Sequence, residues 1–175
     1  MIIKRTFLGL GLVAILAAAG CATSQAPLAE TEVVQRNNAA GDALANLLKT
    51  RGMAGAPVVV ATLVEVDNME QSSTFGRMVG EHIASRLAFA GVPVVELKLR
   101  NTLYMSQRGG EFMLSRELQQ LTLEHKASLA VVGTYAVANQ EVLVTLKAVD
   151  VTNNNIVAAH SYSIPKMSVS SLLKR

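Results

Sequence analysis

SLAVVGTYAVANQEVLVTLKAVDVTNNNIVAAHSYSI, residues 128–164, decides the fold. Residues 128–138 are rich in Val, Ala and Leu, the composition of a strand buried on both faces. Residues 141–151 alternate instead, with Val142, Val144, Leu146 and Ala148 on one face. A third run, residues 155–164, follows the turn-rich VTNNN. Joined by Asn139-Gln140 and through Asn153 to Asn155, these three strands make an antiparallel meander.

Upstream the periodicity changes. PVVVATLVEV (57–66) is apolar and β-branched, as in a central strand covered on both faces. VPVVELKL (92–99) alternates only in part and reads as a strand nearer an edge. Between them, residues 67–73 (DNMEQSS) are polar and end in serines able to cap a helix. TFGRMVGEHIASRLAFAG then repeats Phe75, Val79, Ile83 and Leu87 every four residues, and Gly91 follows as the stop. A first helix spans Glu32 to Arg51, with Ala40, Ala43, Leu44, Leu47 and Leu48 on one stripe and Gly52 after it. A third is expected from Ser115 to about Lys126, with Leu118 and Leu121 facing the core. Residues 100–112 read as either a mobile loop or a short hairpin. The order α-β-α-β-α-β-β-β predicts one α/β (mixed α+β) domain: a mixed sheet of β-α-β units followed by the meander, with helices covering the sheet.

The N-terminus carries an address. Lys4 and Arg5 precede the apolar run Phe7 to Ala19, and Ala18-Ala19-Gly20 lead into Cys21, the single cysteine. The run is too short for the about 20 residues that span a bilayer, so it reads as a secretory signal. The segment resembles a bacterial lipoprotein signal, with its lipobox at Ala18 to Cys21. That resemblance implies cleavage after Gly20 and acylation of Cys21, with palmitate-type chains on sulfur and amine. Two or more chains hold where one binds only reversibly. By the same resemblance, Ala22, in place of the Asp that in lipoproteins signals inner-membrane retention, implies the outer membrane of a Gram-negative cell, the domain hanging in the periplasm. The expected division is signal peptide 1–20, lipidated tether 21–31, folded domain 32–165 and C-terminal tail 166–175.

Removing residues 1–20 takes away Lys4 and Arg5 and no acidic group, so the net charge of +3 falls to +1. With no basic patch interleaved with aromatics, nucleic acid is not an expected partner. What remains is long enough to bury about 70% of its unfolded surface without disulfides.

No catalytic constellation appears. The three histidines, His82, His125 and His160, lie far apart and no HExxH is present. In Glu81-His82 and Glu124-His125 the neighbours diverge by roughly 100° on a helix and do not grip one ion. There is no G-x-S-x-G elbow, and Gly76 to Gly80 lacks phosphate-loop spacing. Neither a cofactor, a metal nor a catalytic residue is therefore assigned. Two polar features stand as candidate contacts: a partner surface of Arg77, Glu81 and Arg86 on the second helix, and a loop of Arg108-Gly109-Gly110-Glu111.

The ordered series VVVATLVEVDNMEQSSTFGRMVGEHIASRLAFAGVPVVELKL, GGEFMLSRELQQL, LAVVGTYAVANQEVLVTLKAVDV and SYSIP resembles the FlgO family of flagellar outer-membrane lipoproteins, over about residues 36–165. The most specific parts are the helix start at Ser72 to Gly76, Leu114 to Leu118 and Val132 to Tyr135. The resemblance implies a non-enzymatic lipoprotein that supports flagellar assembly, stability or motility through contacts with envelope or basal-body proteins. The alternatives are an envelope lipoprotein of a non-flagellar assembly and a small periplasmic ligand-binding domain using the Arg108 to Glu111 loop.

Overall fold

A computed structural model describes residues 31–95, 105–108, 111–114, 120 and 122–173. The sheet is mixed, as its sequence pattern requires. β7 (Leu129–Val137), β8 (Glu141–Asp150) and β9 (Ile156–Pro165) form the expected meander, paired antiparallel along their lengths. The same β7 pairs in parallel with β1 (Val58–Val60) and with β2 (Val64–Glu65). β1 also pairs in parallel with β4 (Val94–Val95), and β2 pairs antiparallel with β3 (Asn68–Ser72). Seven strands thus share one sheet, with β9 at one edge. A separate hairpin of β5 (Met105–Arg108) and β6 (Glu111–Leu114) settles the loop-or-hairpin alternative in favour of the hairpin.

Helices α1 (Glu32–Thr50) and α2 (Thr74–Phe89) lie side by side on one face. Phe75, Val79, Ile83 and Leu87 of α2 are fully buried, as the four-residue spacing predicts, against Leu44 and Leu48 of α1 and Val142, Val144 and Leu146 of the sheet. Leu47, placed on the buried stripe by its sequence, is instead exposed, because the buried stripe of α1 runs through Val33, Asn37, Ala40, Gly41, Leu44, Ala45 and Leu48. Gly52 (φ 72°) and Gly91 (φ 85°) end the two helices in the left-handed region that glycine enters without cost. A smaller cluster of Val59, Ala61, Ala130, Val132, Val149 and Val151, with Ala127, covers part of the opposite face. Of the third expected helix, residues 120 and 122–124 are helical and the rest lies outside the described residues.

Three features depart from the sequence expectation. The strand expected over 57–66 is interrupted at Ala61 to Leu63: Ala61 N–H still donates to Val131 O (2.8 Å), but Leu63 N–H turns out of the sheet to Gly76 O of α2 (3.2 Å). The break shifts the side-chain phase, so Val58 and Leu63 both face the helices although they are five residues apart. Residues 68–72, expected only as a polar approach to the helix, form β3; edge pairing asks for backbone groups more than apolar side chains. The segment after β9, expected as a tail, is packed: α3 (Lys166–Val169) buries Val169 completely, and Leu172 O accepts the N–H of Phe75 (2.9 Å).

Turn chemistry holds the meander. Asp150 Oδ1 accepts from the Thr152 hydroxyl (2.6 Å) and Thr152 N–H (2.8 Å), which holds the carboxyl below its usual range.

Core packing carries the fold, so truncation should separate buried from exposed sites. Ile83→Ala, inside the core, should cost about 2–5 kcal/mol in equilibrium urea unfolding. Leu123→Ala, at an exposed site, should stay within about 0.5 kcal/mol.

Candidate functional site

The structure divides the expected partner surface. Arg77 and Arg86 are nine residues apart, about two and a half helical turns, which sets them on opposite sides of α2. Arg77 and Glu81 are exposed and line an open groove of about 410 Å³ together with Gly80 and Ser85 of α2, Val60 of β1 and Val94 of β4. The Arg77 guanidinium donates to Ser72 Oγ (3.2 Å) and Thr74 Oγ1 (3.1 Å).

Arg86 instead faces α1. Its Nε and Nη2 each donate to the Asp42 carboxylate at 2.7 Å, and the guanidinium sits 4.6 Å above the Phe89 ring. The backbone of α1 approaches here because position 41 is glycine: a Cβ there would stand 2.7 Å from Arg86 Cβ. Arg86 is thus a clamp between helices, and the expected three-residue patch reduces to Arg77 and Glu81. The sequence signal for this was the glycine inside a helix, a choice that costs about 1 kcal/mol relative to Ala unless close packing requires it.

Arg108 and Glu111 stand opposite each other at the end of the β5–β6 hairpin; residues 109 and 110 and Cys21 lie outside the described residues. Among the described residues, no cluster of three or more His, Cys, Asp or Glu side chains could hold a metal ion. His125 is exposed, and His160 stacks on Tyr162 with centroids 6.1 Å apart.

Two buried polar junctions escaped the sequence reading. In the first, fully buried Asn37 joins three elements: Tyr162 of β9 donates its hydroxyl to Asn37 Oδ1 (2.6 Å), and Asn37 Nδ2 lies 3.0 Å from His82 Nδ1 on α2. With the amide oxygen occupied by Tyr162, Nδ2 donates and His82 Nδ1 accepts. An asparagine at a helix-core position was the available signal, since a buried amide requires partners. In the second junction, Tyr135 of β7 donates its hydroxyl to Ser73 Oγ (2.7 Å), which also accepts Gly76 N–H (3.0 Å) as the cap of α2. The Tyr135 ring meets Phe75 edge-on at 5.0 Å. Gly76 has no alternative here, because a Cβ would overlap the Leu63 carbonyl oxygen.

The polar groups buried in the helix-covered face, Asn37 and Ser73, are therefore spent on holding α1, α2 and the sheet together. This defines a small α/β domain: a partly parallel sheet extended by an antiparallel meander, with two long helices on one face. The chain belongs to the FlgO family, described as "FlgO protein", whose profile matches residues 37–169. The match includes both junctions, and the segments Ser72 to Gly76 and Val132 to Tyr135 meet at the second. No curated protein matches the chain significantly. Among solved structures it is similar in fold to the LpoB C-terminal domain from Salmonella enterica, at 12% identity and a TM-score of 0.54 over 74% of this chain and 98% of that one. It is likewise similar to the LpoB C-terminal domain from Escherichia coli, at 12% identity and a TM-score of 0.52 over 73% and 97%.

Burial raises the Tyr162 phenol above its ordinary value. The neutral, hydrogen-bonded phenol therefore contributes its full stability below about pH 10, and that contribution is lost as the pH rises further and the unfolded chain ionises first. Tyr162→Phe, which deprives Asn37 Oδ1 of its donor, should cost about 1–3 kcal/mol at pH 7. Urea unfolding from pH 7 to 11 should show that gap narrowing above about pH 10; a gap independent of pH would contradict the assignment.

Proposed function

We propose that this protein is a lipid-anchored outer-membrane protein whose periplasmic domain supports flagellar assembly, stability or motility through protein–protein contacts. The observation that carries this reading is membership of the FlgO family across essentially the whole folded domain. The signal-like segment ending at Cys21 supplies the anchor, and residues 22–30, small and polar with one proline, supply the tether. On this reading the domain is a non-enzymatic connector. Its buried Asn37, Ser73 and Tyr135 and half-buried Tyr162 and His82 bond across elements, the use expected of a scaffold whose geometry must stay fixed while its surface binds. Its partners are the membrane lipid, through acylated Cys21, and envelope or basal-body proteins.

The anchor matters because tethering confines the domain to a thin layer and turns partner encounter into a high effective concentration event. Deleting the gene should abolish or strongly reduce swimming in soft agar. The wild-type gene should restore it, while Cys21→Ser, which removes the acylated sulfur, should not restore it although the domain still folds. Normal swimming by the deletion strain would overturn the flagellar role. Full rescue by Cys21→Ser would overturn the anchor.

A further inference from the structure

We infer that the edge of β9, unpaired among the described residues, is a docking site for an extended, uncharged segment of a partner protein, which adds to the sheet as its next strand. This deepens the proposed function, on which it rests for the existence of a protein partner.

The hydrogen-bond pattern fixes which groups are on offer. Lys166 N–H donates to Gln140 O across the start of the β8–β9 pair, and Ala138 N–H donates to Glu141 O across the β7–β8 pair. Antiparallel ladders alternate between bonded and non-bonded residue pairs. Even-numbered residues of β8 therefore bond to β9, and its odd-numbered residues bond to β7. Opposite Leu143, Thr145 and Lys147 stand Ser163, Ser161 and Ala159. The N–H and C=O groups of these three residues point away from β8, toward the edge. The bond from Arg36 Nη1 to Ser163 O (2.9 Å) confirms the direction. No hydrogen bond to another described residue meets the outward N–H of Ala159, Ser161 or Ser163, or the outward carbonyls of Ala159 and Ser161. Ala159 and Ser161 are exposed.

Along Ala159 to Ser161 this edge lacks the devices that ordinarily blunt one, and Arg36 covers it at Ser163 O alone among its outward carbonyls. From Ile156 to Ile164 there is no Lys, Arg, Asp or Glu; the only proline, Pro165, closes the strand, and the register irregularity is at the far end, beside Ala148 and Val149. From Ala159 to Ser161, an edge with no charged side chain of its own matches an uncharged strand that supplies its own backbone donors and acceptors. Past Ser163 the edge opens into a cleft of about 560 Å³ lined by Arg36, Asn139, Gln140, Glu141 and Pro165, room for the side chains of a segment running off its end.

The occupant is a lone strand and not a second copy of this domain. α1 lies directly over β9, held there by Tyr162 to Asn37 and Arg36 to Ser163. Antiparallel pairing of two copies, edge to edge about a two-fold axis, would bring their β9 strands about 4.8 Å apart. It would also press two α1 helices closer than the about 8–10 Å that packed helices need. An extended segment with no helix above it meets no such obstacle.

The test uses the full-length lipidated protein in its own cells, with the photo-crosslinker p-benzoylphenylalanine at Ala159. Irradiation should give an adduct with another protein. Ser161→Pro, which removes one outward donor but no β8 bond, should reduce that adduct about tenfold, through the lost bond and the clash of the ring with the incoming strand. Ser161→Lys should reduce it as an edge charge does, and Ser161→Ala should leave it unchanged. The lysine variant keeps the test decisive if the proline variant is poorly folded. Absence of an adduct, an adduct indifferent to both Ser161→Pro and Ser161→Lys, or one with the mass of two copies of this chain would overturn the proposal. Because the adduct is read without reference to swimming, a normally motile deletion strain bears only on the flagellar reading.

Discussion

The architecture depends on one close approach: the first turn of α2 pressed against the backbone of the broken strand between β1 and β2. At Gly76 a helix carbonyl takes the Leu63 N–H, and the missing side chain leaves space for the Leu63 carbonyl. The other consequences follow from that contact. The strand cannot continue flat through Ala61 to Leu63, its side-chain phase shifts, and Leu63 is turned into the helix-side core. Ser73 then lies where one oxygen caps Gly76 and accepts from Tyr135, so the start of α2 is bonded to the central strand β7. The Phe75 N–H, orphaned as first-turn donors are, is met by Leu172 O from the end of the described chain.

A second seam fixes α1. Gly41 lets the helices cross closely beside Arg86, Asp42 holds that arginine by two bonds, and Asn37 connects α1 to both α2 and β9. The Arg86–Asp42 pair is partly exposed and is worth no more than about 1 kcal/mol. Buried Asn37 matters more, since losing either partner would leave an amide group unsatisfied. Together the two seams join the polar groups of the helix-covered face to one another. The groove beside Arg77 and Glu81 and the edge of β9 lie outside both seams.

Much of this was legible in the residues. The alternation of Val142, Val144, Leu146 and Ala148 and the four-residue repeat from Phe75 to Leu87 each report burial on one side of a regular element, and the structure buries those side chains. Gly52 and Gly91 marked helix ends because few other residues adopt their φ values readily. What stayed hidden depends on contacts distant in sequence. The break at Ala61 to Leu63 is imposed by a helix that comes later in the chain, β3 is a polar strand identified only by its partner, and the tail is apolar at too few positions to announce that Val169 is buried. Arg86 reads with Arg77 as part of the polar face opposite the Phe75–Leu87 stripe, whereas the nine-residue spacing places it on the other side of α2, toward Asp42. Asn37 and Tyr135 find their partners 125 and 62 residues away, beyond the reach of any local pattern.

Equilibrium urea unfolding of Gly76→Ala tests the account most directly. If the contact between α2 and Leu63 organises the fold, the added methyl group must displace the helix or the strand, and the variant should lose about 3 kcal/mol or more, at the upper end of overpacking costs. It should lose this although alanine favours helix elsewhere by about 1 kcal/mol over glycine. A variant as stable as the wild type, or more so, would show that α2 does not rest on the broken strand in this way.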